Sequence, residues 1–200
     1  PSSAALEEVM TGEEITNEFG RFFFTRTRYP GSASHGRHLM RSFVCPDMAS
    51  VAHLAAHGNL ADLSMADGLF LDTETTGLAG GTGTFAFLIG LGWFEGDDFI
   101  VCQLFARDFP EEAAMLGFLR EIAREKHFLV TFNGRAYDLN LLGTRYILNR
   151  LEDPFATMPH VDLLHPSRRL LGHRLVNSRL VTLEACVLGF ERTGDVPGFE

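Results

Sequence analysis

The sequence predicts a mixed α/β domain built on a five-stranded sheet flanked by helices, and three observations carry that expectation. Residues 84–94 (TFAFLIGLGWF) and 98–106 (DFIVCQLFA) are long apolar runs joined by the turn EGDD, which makes a hairpin and so an antiparallel pair. Residues 68–73, 127–134 and 160–164 are shorter apolar runs. Two of them are linked to the rest through amphipathic helical segments, which calls for parallel pairing by right-handed crossover.

Taken in order, FGRFFFTRTRY (19–29) reads as a strand with Arg21, Arg26 and Arg28 along it. PGSASHGRH (30–38) is a loop by composition. MASVAHLAAHGNLADL (48–63) reads as a helix that Gly58 breaks or ends in part. Its His53 and His57 are spaced i, i+4, which suits a metal pair, although solvated or packed histidines on an Ala-rich helix explain them better. GLFLDT (68–73) is the first strand of a sharper pattern. FPEEAAMLGFLREIAREK (109–126) is an amphipathic helix with Pro110 at its start, acids in its first turn and Arg and Lys at its end, in keeping with the helix dipole. HFLVTFNG (127–134) is a strand that runs into a turn, and AYDLNLLGTRYILNRL (136–151) a helix. HVDLL (160–164) reads as a strand or its stub, and SRLVTLEACVLGF (178–190) as a helix closed by Gly189. The expected division is an N-terminal extension, residues 1–67, packed on or adjoining a domain at 68–200.

Composition narrows the functional classes. Two hundred residues with 46% apolar side chains supply about one domain with a real core. A net charge of −9 argues against a broad basic surface for nonspecific nucleic-acid binding, though not against a local basic groove. Lys126 is the only lysine; compositional bias explains this better than a demand for guanidinium chemistry. Cys45, Cys102 and Cys186 are scattered and form no C-x-x-C, so neither zinc nor a disulfide framework is signalled, and a reducing, cytoplasmic compartment is expected. No apolar run reaches the ~18 residues of a membrane helix, and PSSAALEEVMTGEE lacks the features of a signal peptide.

The chemistry is concentrated in FLDTETTGL (70–78). Side chains alternate along a strand, so Asp72 and Glu74 point the same way just beyond an apolar run. Two like charges so close raise each other's pKa. A hard cation such as Mg²⁺ or Mn²⁺, which takes oxygen ligands, would relieve them; a solvent-facing strand end before a Thr-Gly turn is the plainer alternative. In LVTFNGRAYDLNLL (129–142) a strand runs into Asn133-Gly134, and Asp138 follows in the first turn of the next helix. The C-terminal ends of parallel strands gather at one edge of a sheet, which would place Asp138 near Asp72 and Glu74. Asp138 would otherwise serve the helix dipole, and Asn133-Gly134 ordinary turn chemistry. Asp162, at the end of HVD, is either an additional acid of the same cluster or the cap of the following turn. Gly80–Gly83 is not a phosphate loop, because no lysine follows and it enters a strand.

These residues carry a resemblance. FLDTETTGL resembles the first motif, and TFNGRAYD the second, of the DEDD superfamily of 3′–5′ exonucleases. With GGTGTFAFLIGLGWFEGDDFIVCQLFARDFPEEAAMLGFL, HVDLLHPSRRLL and LVTLEACVLGFERTGDVPG, the chain is similar to the YprB-like ribonuclease H-like domain, a family of predicted bacterial exonucleases. The resemblance covers residues 17–200 and is most specific over 69–198. It implies a ribonuclease H-like fold and a metal-dependent 3′–5′ exonuclease that hydrolyses single-stranded or frayed nucleic-acid ends with two Mg²⁺ or Mn²⁺ ions. Asp72, Glu74 and Asp138 would be the ligands. Thr73, Thr75, Gly77 and Asn133 would lie along the terminal nucleotide, and Leu78 would be either an apolar wedge beside its base or a core leucine. Arg135, Arg145, Arg168, Arg169 and Arg174 are candidates to meet phosphates, Arg168 and Arg169 foremost, although a solvated surface arginine explains each one singly better. The resemblance also requires a third motif, a His or Tyr followed by an Asp. His160, His165 and His173 lie too early for it and Asp195 sits in a turn-like GDVPG, so the general base and fourth carboxylate are expected beyond Glu200. A catalytically inactive nucleic-acid-binding module of the same fold is the alternative.

Overall fold

The structure is a computed structural model that describes residues 10–77 and 83–193. Its strands are β1 (Glu13–Asn17), β2 (Gly20–Tyr29), the two-residue pair β3 (Ser34–His35) and β4 (His38–Leu39), β5 (Gly68–Thr75), β6 (Ala86–Glu95), β7 (Asp98–Phe105), β8 (Phe128–Thr131) and β9 (His160–Asp162). The helices are α1 (Met48–Ala55), α2 (Glu112–Arg124), α3 (Asp138–Leu148), α4 (Leu164–Leu171) and the short α5 (Leu180–Leu183), which runs into one π turn at Glu184–Leu188. Seven strands form one mixed sheet in the order β1-β2-β7-β6-β5-β8-β9. The β1 to β5 side is antiparallel, and β5, β8 and β9 are parallel to one another.

The expected α/β class holds, but the sheet has seven strands, not five. The run at 19–29 is not outside the sheet: as β2 it pairs with β7 from Phe23↔Phe105 to Tyr29↔Phe99. Outside it lies β1, EEITN, whose polar sequence hides its strand character and suits an exposed edge. The 30–38 loop contains the β3–β4 pair. The 48–63 helix stops early because Ala56 turns left-handed (φ 59°), and a 3-10 turn follows at Gly58–Asp62. The 178–190 helix narrows to α5 and its π turn, closed as expected by a left-handed Gly189. The sequence reading missed α4, whose LHPSRRLL combines Pro with paired Arg. Its Pro166 stands in the first turn, where a missing N–H costs no helical bond.

Each face of the sheet is covered. Leu69, Leu71, Ile89, Leu91 and Leu104 pack with Met115, Leu116 and Leu119 of α2 and Leu142 and Tyr146 of α3. On the opposite face Phe128, Val130 and Val161 pack with Ala52 of α1 and with Leu60. Among the described residues no helix is long and apolar enough to cross a membrane.

Helices α2 and α3 are locked by an ion pair inside the first layer. Both arms of the Arg145 guanidinium donate to Glu112 at 2.6 Å, and Asn149 adds a third bond to the same carboxylate at 2.9 Å. The two side chains are only 7% and 3% exposed. A pair so dry is costly to break from one side, because the survivor keeps its charge without a partner. Glu112→Ala is therefore expected to lower the unfolding free energy by about 3–5 kcal/mol, read as a lower denaturant midpoint by circular dichroism. An apolar replacement of both residues costs less than the single change.

Candidate functional site

The end of β5 carries the acids. Leu69 and Leu71 face α2 and α3, whereas Phe70 faces the other layer. By strand alternation Asp72 and Glu74 share the face of Phe70, and Thr73 lies on the face of α3. Asp72 lies across from Gly90 and Glu74 across from Leu88, and the register shifts between Glu74 and Thr75 as β5 leaves the ladder. The strand then curls: the Thr75 hydroxyl donates to the Gly77 carbonyl at 3.1 Å.

Asp138 arrives from the other side. It opens α3, is buried, and accepts a 2.5 Å hydrogen bond from the Thr73 hydroxyl. The loop that delivers it is shaped by three requirements. Asn133 is left-handed (φ 65°), a conformation Asn tolerates better than most residues. Gly134 donates its N–H to the Thr131 hydroxyl at 3.1 Å, and a Cβ there would come within 2.6 Å of the Thr131 side chain. Asp162 then fastens the loop to β9: its carboxylate accepts the N–H groups of Asn133 (2.7 Å), Arg135 (3.1 Å) and Leu164 (3.1 Å). Beside it His160 shares a 2.9 Å hydrogen bond with Thr131, and burial pushes its imidazole below the ordinary pKa.

The electrostatics at this edge are strained. Removal from water pushes the Asp72 carboxyl up to about 6, with the charges of Asp138 and Glu74 adding to the shift. A backbone hydrogen bond at Thr73 and the charge of Arg192 oppose it. Burial likewise raises Asp138, assisted by the charge of Asp162 and opposed by the Thr73 hydroxyl. Arg192 escaped the sequence reading; its part here depends on the C-terminal segment folding back, where it also pairs with Glu184 at 2.6 Å.

The fold thus sets Asp72 beside Glu74 and within electrostatic reach of Asp138, but it does not gather all three around one point. Among the described residues no three acidic, His or Cys side chains stand close enough to enclose a metal ion. The donor set of carboxylate oxygens fits a hard divalent cation, and the mutual repulsion at Asp72 is what such a cation would relieve. Asp162 spends its oxygens on backbone amides, which is the capping alternative. Arg168 and Arg169 lie on α4, away from β5. Leu78, Gly80 to Thr82 and Asp195 lie outside the described residues.

A mixed sheet with this strand order, and acids at the end of its central β5, defines a ribonuclease H-like domain. Residues 69–200 match the RNase_H_2 family, described as RNase_H superfamily, and the chain belongs to that superfamily. Membership supports a nuclease-type or nucleic-acid-binding role. Among curated relatives, the uncharacterized protein YprB of Bacillus subtilis (strain 168) is 40% identical over 134 residues, which are 65% of this chain. They are 32% of that protein, so the chain spans about a third of its length.

The raised pKa of Asp72 fixes the sign of a pH effect. A carboxyl whose folded pKa exceeds its unfolded value adds stability that is complete below about pH 4 and lost as pH rises through about 6. In chelator, Asp72→Asn is therefore expected to match wild type in melting temperature near pH 4 and to exceed it at pH 7, as followed by scanning calorimetry.

Proposed function

We propose that the protein is a 3′–5′ exonuclease that hydrolyses the phosphodiester bonds of single-stranded or frayed nucleic-acid ends. The observation that carries this reading is the crowding of Asp72 with Glu74 and Asp138 at the end of β5, where partly dehydrated carboxylates hold a perturbed pKa, in a chain of the RNase H superfamily. Asp72, Glu74 and Asp138 would hold the metal. When bound, two Mg²⁺ or Mn²⁺ ions offset these charges, acidify water and stabilise the departing 3′ oxygen.

The chain's own groups set the geometry. Asp72 and Glu74 share one face of β5, and Thr73 orients Asp138 from the other side. The hydroxyls of Thr73 and Thr75 and the backbone at Gly77 and Asn133 line the path of the terminal nucleotide. Water forms the new bond to phosphorus as the bond to the 3′ oxygen of the preceding nucleotide breaks, releasing a 5′-mononucleotide. In this reading a base other than Asp72, Glu74 and Asp138 takes the water's proton.

A second reading, a nucleic-acid-binding module that does not cut, is favoured by one observation: Asp138 is engaged by Thr73 and the three acids do not enclose a common point. Digestion of 3′- and 5′-end-labelled single-stranded DNA and RNA with Mn²⁺, by this chain and by a longer form of the same protein, separates the two. The exonuclease is expected to release 5′-mononucleotides from the 3′ end. Asp72→Asn and Asp138→Asn are each expected to reduce the rate by about 10²–10³-fold, the scale for losing a group that offsets transition-state charge. Strand binding with no cleavage by either form would establish the non-cutting module instead.

A further inference from the structure

A second feature lies beyond the β8–α3 loop. The C-terminal end of α1, strand β9 and helix α4 line an open cavity of about 360 Å³. Its wall includes Leu54, Arg135, His160, His165, Arg168 and Arg169. The volume lies at the lower end of the ~300–1,000 Å³ range of small-ligand sites, enough for a nucleotide and too small for a folded partner.

The lining of this cavity is cationic in an acidic protein. Several arginines elsewhere are matched by acids: Arg21 with Glu14, Arg26 and Arg28 with Glu95, Arg107 with Glu111, Arg145 with Glu112. Three arginines line the cavity against one carboxylate, Asp162, whose oxygens already accept backbone amides. Among the described residues neither Arg135 nor Arg168 pairs with an acid. The α1 end would by itself repel an anion, because its last carbonyls point outward. Arg169 covers that end by donating to the Leu54 carbonyl, so its role is to shape the wall. Arg135 and Arg168 remain as the cavity's two cations without an acid partner among the described residues, in a protein of net charge −9.

We propose that this cavity is a phosphate site for a nucleotide, with Arg135 and Arg168 as its paired guanidinium donors. It rests on the nucleic-acid reading above and deepens it. Arg135 lies three residues before Asp138 on the loop that Asp162 fastens, so one loop presents an acid on one side and the phosphate donor on the other. The phosphate can belong to a bound strand or to a free mononucleotide, since the guanidinium chemistry is common to both.

The test compares wild type with Arg135→Ala/Arg168→Ala and with Arg135→Lys/Arg168→Lys, in chelator so that nothing is cut. Fluorescence anisotropy follows a single strand of about 12 nucleotides, within the usual range of single-strand site sizes. Calorimetry follows adenosine 5′-monophosphate. Both arginines are exposed, so unchanged melting temperatures are expected. If a strand supplies the phosphate, the alanine variant binds it about tenfold more weakly. Its salt slope flattens by about 0.7, the contribution of the one single-strand phosphate that is no longer neutralised. The lysine variant recovers part of the affinity. If the source is a free nucleotide, the loss appears in the monophosphate titration alone. Unchanged binding of both ligands by the alanine variant overturns the proposal. Arginine-dependent strand binding without metal-dependent cleavage overturns the exonuclease reading and leaves this site standing; cleavage with arginine-independent binding does the reverse.

Discussion

Asp72 and Asp138 feel each other's charge where the parallel pairing of β5 with β8 gives out; Asp138 is buried there, whereas Asp72 keeps an exposed side. The last paired positions, Phe70↔Val130, lie just short of the acids, and β8 ends at Thr131. The chain must turn out of the sheet at once, and the first helical residue it can supply, Asp138, falls beside Thr73. Three things make that charge tolerable. The Thr73 hydroxyl donates to it, the N-terminal dipole of the 11-residue α3 favours it, and Arg192 offsets part of the charge of its neighbour Asp72. They do not cancel the repulsion, since both carboxyls remain above their ordinary pKa. If the proposed function holds, this unfavourable charge pair at the end of β5 is where a cation would gain more than usual.

Positioning depends on a second carboxylate with the opposite character. Asp162 is buried and amide-bonded, and nothing about it is strained: three N–H groups that a turn would leave without partners converge on it. It joins β9 to the loop between β8 and α3, so the acid at Asp138 and the guanidinium at Arg135 are held by one fastening. The contrast between the acids is chemical. One shares its charge with backbone donors and is structural; the other has one hydroxyl donor, feels the charge of further acids, and under the proposed function would be the one used for chemistry.

Much of this could be read from the residues, and what could not has identifiable causes. Strong apolar runs such as TFAFLIGLGWF announce central strands because burial on both faces needs continuous apolar sequence. The alternation of Asp72 with Glu74 follows from strand geometry alone. By contrast β1 is an edge strand with Ile15 as its one apolar residue, so its identity comes from the partner Phe22, not from its own pattern. Helix α4 was hidden by Pro166, which is compatible with a first helical turn and indistinguishable in sequence from a loop signal. Arg192 and the Arg135–Arg168 cavity wall join residues tens of positions apart, and no local period encodes that. Asp162 shows the limit most clearly: in sequence a ligand and a cap look the same, and only the direction of three N–H bonds separates them.

The distribution of arginine gives the acidic composition a different meaning from the one that the net charge suggests. On the β2 edge Arg26 and Arg28 are neutralised by Glu95 and Asp98, so a polyanion finds no net attraction there. Around Asp72 it meets negative charge and is repelled unless cations intervene. Attraction survives at the α4 side, where guanidinium groups outnumber carboxylates and Asp162 is already occupied. Arg135 and Arg168 are exposed, so their attraction is screened by salt and acts at short range. A strand drawn to this recess would be held on one side of the β8–α3 loop while its end explores the acids on the other. On the two proposals together, affinity would be separated from chemistry: the acids would repel phosphate until cations arrive while the arginines kept hold of the ligand.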